Sequence, residues 1–115
     1  MFTSLFGLYA CSVQEKDLTG SWQAAAFFEN GQSVASNLDS VSLQITPEGG
    51  YEFRSQGFYR EAGAYRLSAK YLFLTDTTQI PAKEHIVKIL YISADTLKIR
   101  MSAGGKEQVL FFARE

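Results

Sequence analysis

The chain has one cysteine, one histidine, one tryptophan and two prolines in 115 residues. A single cysteine excludes an internal disulfide, so no pairing reports the redox compartment. With a single histidine there is no metal-spaced His/Cys cluster, and no Ser/His/Asp set stands out. Basic residues number 11 against 12 acidic ones, for a net charge of -1. Nucleic acid is normally met with a clear Lys/Arg excess, so a nucleic-acid partner is not expected. After the first residues no apolar run approaches the ~20 needed for a membrane-spanning helix. No glycine-rich loop reads as a phosphate cradle either. Glu48-Gly49-Gly50 and Ala103-Gly104-Gly105-Lys106 are turns between strands, not the strand-to-helix loop that phosphate binding uses.

The sequence is instead rich in short alternating segments. It carries 9 Gly, 9 Phe and 6 Tyr with 46% hydrophobic residues, a mix that favours strands joined by glycine turns. Gly20–Glu29 reads as a first strand ended by Asn30-Gly31, a strong hairpin signal. Val41, Leu43 and Ile45 share one face, as do Tyr51 and Phe53, then Tyr65 and Leu67, then Leu72 and Leu74. His85–Ile92 is nearly all apolar. It reads as a strand covered on both faces or as one with an apolar outer stripe. Leu97, Ile99 and Met101 alternate against Lys98 and Arg100, and the closing strand places Leu110, Phe112 and Arg114 on one face. Seven to nine strands with tight turns and no convincing helix imply one all-β domain, an antiparallel up-and-down meander. Closure into a barrel of about eight strands removes the exposed edges; a two-sheet sandwich is the alternative.

The start of the chain has a different character. Met1 to Ala10 is uncharged and largely apolar, Cys11 follows, and Ser12 to Asp17 is polar. From the residues alone, Cys11 is a buried thiol, a nucleophile or the end of a removed leader. A nucleophile needs a basic partner, and His85 is far away in sequence. Leu8-Tyr9-Ala10-Cys11 resembles the lipobox of bacterial lipoproteins. That likeness implies cleavage before Cys11, acylation of Cys11, and attachment to the outer membrane on its periplasmic or surface side. No Lys or Arg precedes Cys11, so the basic start of such a leader is expected upstream of Met1. Glu15-Lys16-Asp17 resembles the acidic-flanked export tags of Bacteroidetes surface lipoproteins. The expected organisation is a signal remnant and tether over 1–17 and a barrel over 18–115.

Three further places resemble the small lipocalin-like domains of bacterial lipoproteins. They are Leu18-Thr19-Gly20-Ser21-Trp22, the run Gly63–Leu74, and the final pair Ile92–Met101 and Leu110–Glu115. The resemblance implies that Trp22 plugs one barrel end and that Arg114 lies across its ring. It also implies a small apolar or amphipathic ligand inside the barrel; from the residues themselves no cofactor and no metal is expected. Thr75-Asp76-Thr77 departs from the family's T-D-Y at the last position, and the chain is shorter than a typical lipocalin.

With Trp22 inward, alternation points Ala24, Ala26 and Phe28 the same way. The candidate ligand-binding residues are Phe28, Tyr51, Phe53, Tyr65, Leu72 and Phe112, the tyrosines because each buried hydroxyl needs a partner. A second reading is an envelope protein-interaction module with a filled core, presenting Phe58, Tyr59 and Arg60. Glu48, Glu52, Glu61, Asp76 and Glu84 read as solvated charges and His85 as a strand-start residue, so no catalytic residue is assigned.

Overall fold

The computed structural model describes residues 13–34, 38–55 and 60–115. Its elements are a helical turn α1 (Glu15–Leu18) and nine strands: β1 (Gly20–Glu29), β2 (Gln32–Ser33), β3 (Ser42–Ile45), β4 (Gly50–Arg54), β5 (Arg60–Ser68), β6 (Tyr71–Asp76), β7 (Lys83–Ile92), β8 (Thr96–Ala103) and β9 (Lys106–Arg114). All neighbouring strands pair antiparallel. From β3 to β9 each strand pairs with the next, and β9 closes on β1. The result is a closed eight-stranded antiparallel barrel with β2 as an extra strand, an architecture that fits a lipocalin-like fold. Closure leaves the barrel strands no long free edge, which removes the template for edge-to-edge aggregation. β2 and β3 share one side of β1: Gly20 to Gln23 pair with β3, and Phe28 and Glu29 pair with β2.

Alternation sets the interior. Val41, Leu43, Ile45, Tyr51, Tyr65, Leu72, Leu74, Val87, Ile89, Leu97, Ile99, Leu110 and Phe112 are all buried, while Phe53, Leu67 and Met101 pack partly buried against them. The sandwich alternative is therefore set aside, because one sheet closes on itself. On β7, Val87 and Ile89 face inward and Ile86, Leu90 and Tyr91 are exposed, so the strand carries an apolar outer stripe.

Two local features depart from the sequence reading. The first is in β1. Ala24 lies opposite Phe112, but Ala26 lies opposite Phe111, so Ala25 is an extra residue with no partner of its own. A β-bulge of this kind shifts the alternation by one for the rest of the strand. Phe27, opposite Leu110, therefore takes the inward position expected of Phe28. The second is the segment before β1. Glu15–Leu18 forms a turn of helix, with the Asp17 carboxylate accepting a hydrogen bond from the Gln14 N–H at 3.2 Å, and Leu18 is wholly buried.

Candidate functional site

One barrel end is shut. Trp22 has no exposed surface and donates from its indole N–H to the Leu18 carbonyl at 2.8 Å. The guanidinium carbon of Arg114 stands 4.1 Å from the Trp22 ring centre. The same guanidinium donates to the carbonyls of Asp17 (2.9 Å), Thr19 (2.7 Å) and Ala94 (2.6 Å). The Arg114 guanidinium thus ties the helical turn to the barrel end through the Asp17 and Thr19 carbonyls. Gly20 makes this possible: a Cβ there would lie 2.5 Å from Arg114 Nη1, and its φ of +132° disfavours any side chain. The G-x-W pattern is a space requirement, since the glycine clears the path of the cation that covers the tryptophan.

Above this plug the interior is open. A cavity of about 770 Å³ is lined chiefly by aliphatic and aromatic side chains, Phe27, Leu43, Phe53, Leu72 and Leu110 among them. The volume falls within the ~300–1,000 Å³ of small-molecule pockets. Exposed Glu84, Ile86 and Ser102 are also on its boundary, toward the end opposite Trp22.

Of the candidate ligand-binding residues, the structure places Phe53 and Leu72 on the cavity. Phe28 is not there. Beyond the bulge it meets Phe111 edge-on at 5.7 Å, and Phe27 lines the cavity in its stead. Phe112, 1% exposed, belongs to the packed core rather than the cavity wall. Tyr51 and Tyr65 are also buried off the wall. The Tyr65 hydroxyl has no hydrogen-bond partner among the described residues, and burial raises its pKa. The Tyr51 hydroxyl donates to Glu61 Oε2 at 2.7 Å. Cys11, Phe58 and Tyr59 lie outside the described residues. Arg60 is exposed and pairs with Glu52, whose pKa it lowers.

The polar part of the site escaped the sequence reading. Glu61 and Asp76, read as solvated charges, are 7% and 2% exposed. Glu61 lines the cavity with His85, whose Nε2 lies 3.6 Å from Glu61 Oε2. Glu61, Asp76 and His85 bring one oxygen or nitrogen each within 4.8 Å of one another, a set that could offer ligands to a cation. Both Asp76 oxygens already serve the following turn. Oδ1 accepts from the Thr78 N–H (2.9 Å) and hydroxyl (2.5 Å), and Oδ2 accepts from Gln79 (2.8 Å). These bonds, the Thr78 hydroxyl first, lower the Asp76 pKa to about 2. A parity signal for all three was present. Glu61 continues the face of Tyr65, Asp76 that of Leu72 and Leu74, and His85 that of Val87 and Ile89.

The chain matches no protein-family profile and no curated protein. It is similar in structure to an uncharacterized protein from Bacteroides eggerthii DSM 20697, with a TM-score of 0.59 at 13% identity over 84% of this chain and 98% of that one. At that identity the likeness concerns the fold alone.

Proposed function

We propose that this is a lipocalin-like binding protein of the bacterial envelope, holding a small apolar or amphipathic molecule in its barrel and anchored to the outer membrane through Cys11. The observation that carries the binding role is the cavity of about 770 Å³ above the Trp22–Arg114 plug. An apolar wall with few polar groups is the usual form of a small-molecule site. The partner-protein reading required a filled core, and a cavity of this size weighs against it. The anchor rests on Leu8-Tyr9-Ala10-Cys11 and on the short span from Cys11 to α1. Two acyl chains would hold such a domain stably on a membrane, where one binds only marginally. Binding, not catalysis, is the proposed activity.

Native mass spectrometry of the protein purified from its own membranes tests both halves. The expected spectrum shows an acylated chain starting at Cys11 and a non-covalent adduct lost on denaturation. A chain that keeps Met1 and a bare Cys11 rules out the anchor. An adduct-free barrel that also takes up no hydrophobic probe rules out the binding role.

A further inference from the structure

The cavity wall carries carboxyl groups and an imidazole but neither an ammonium nor a guanidinium. Its ionisable side chains among the described residues are Glu61, Glu84 and His85, with no Lys or Arg. Segments 1–12, 35–37 and 56–59 contain no Lys or Arg in sequence either. A fatty-acid carboxylate entering this barrel would meet no Lys or Arg on the wall and would face the Glu61 carboxyl group, an acceptor set against an acceptor.

A donor fits where an acid does not. Glu61 Oε2 and His85 Nε2 are 3.6 Å apart, too far to hydrogen-bond each other well. His85 Nε2 is shielded from solvent and has no hydrogen-bond partner among the described residues. An ammonium entering the cavity would give an N–H to the Glu61 carboxyl group, beside the His85 ring on the same wall. The Tyr51 hydroxyl, donating to Glu61 Oε2 from behind, fixes the carboxylate in place. Leu72, Leu43 and Leu110 offer an apolar channel for the rest of the molecule.

Building on the binding role given above, we propose that the ligand is an amphiphile with a primary amine head, its ammonium seated on Glu61 beside His85 and its tail lying along the aliphatic wall. Calorimetric titration of the full chain with dodecylamine, dodecanol and dodecanoate, below their aggregation limits, separates head from tail. Dodecylamine is expected to bind about tenfold or more tighter than dodecanol, with dodecanoate weakest. Glu61→Gln is expected to bring dodecylamine down toward the dodecanol level. Because Glu61 is buried, His85→Phe at the more open position provides a second variant, expected to narrow the same gap. Equal binding of all three probes, or a preference for the amine that survives in both variants, overturns the head assignment and leaves the cavity reading standing. Failure of all three to bind overturns both.

Discussion

Arg114 lies over Trp22 with its guanidinium carbon 4.1 Å from the ring centre, joining the last strand to the first. The same cation reaches three main-chain carbonyls, of Asp17, Thr19 and Ala94, so one side chain fastens the helical turn, β1, the β7–β8 turn and β9. A cation over an indole contributes about 0.5–2 kcal/mol, and hydrogen bonds from a charged donor about 1.5–3 kcal/mol. Arg114→Ala is therefore expected to cost about 2–4 kcal/mol in urea denaturation. It should also shift Trp22 emission to the red as water reaches the ring. Arg114→Lys keeps the charge but not the planar fork and should recover only part of the loss.

Gly20→Ala should act through the same contact. The new Cβ would sit 2.5 Å from Nη1 in a backbone conformation, φ +132°, that side chains avoid. A loss of about 1–3 kcal/mol is expected. In a double-mutant cycle with Arg114→Ala the steric part should vanish and leave only the backbone strain. Strictly additive losses would show that the two positions do not collide.

Asp76 gives the protein an acid-sensitive element. Its carboxyl titrates at about 2 when folded, against an ordinary 3.8, because the Thr78 hydroxyl and Gln79 bind the ionised form. A depressed folded pKa means that the contribution is complete above about pH 4 and is lost as pH falls toward 2. In Asp76→Asn the side-chain amide would point its donors at the Gln79 amide nitrogen. That variant should be about 1–2 kcal/mol less stable at neutral pH. Its melting temperature should fall less steeply than wild type between pH 4 and 2, where the two curves converge.

The bulge at Ala25 predicts an asymmetry between adjacent phenylalanines. Phe27→Ala enlarges the cavity wall and should weaken a hydrophobic fluorescent probe by about tenfold. Phe28→Ala removes only the outer contact with Phe111 and should leave probe affinity unchanged. The reverse pattern would mean that β1 keeps strict alternation through the alanines.

Nearly every strand was legible from alternation, and Gly20–Glu29 carried the expected limits. Alternation works because a barrel has one dry face and one wet face, so each strand's period of two is visible in its residues. It failed at Ala24-Ala25-Ala26, where three identical small residues hide which one is extra. It was not followed far enough at Glu61, Asp76 and His85. A charged residue at a strand end reads as solvated until its neighbours across the sheet are known, and here Leu74 lies opposite His85 and Gly63 opposite Asp76. The helical turn at Glu15–Leu18 was missed because four residues carry no periodicity of their own. What holds the turn is Arg114, ninety-five positions from Thr19.

By itself, then, the sequence determined the class of fold, the order of the strands and the inward parity of most of them, because those follow from local spacing of apolar and polar residues. The register in which β9 meets β1, the side of the wall that Phe27 takes and the meeting of Glu61 with His85 were decided only by tertiary structure. Each depends on register between strands distant in the chain, and register is set by how the whole barrel packs.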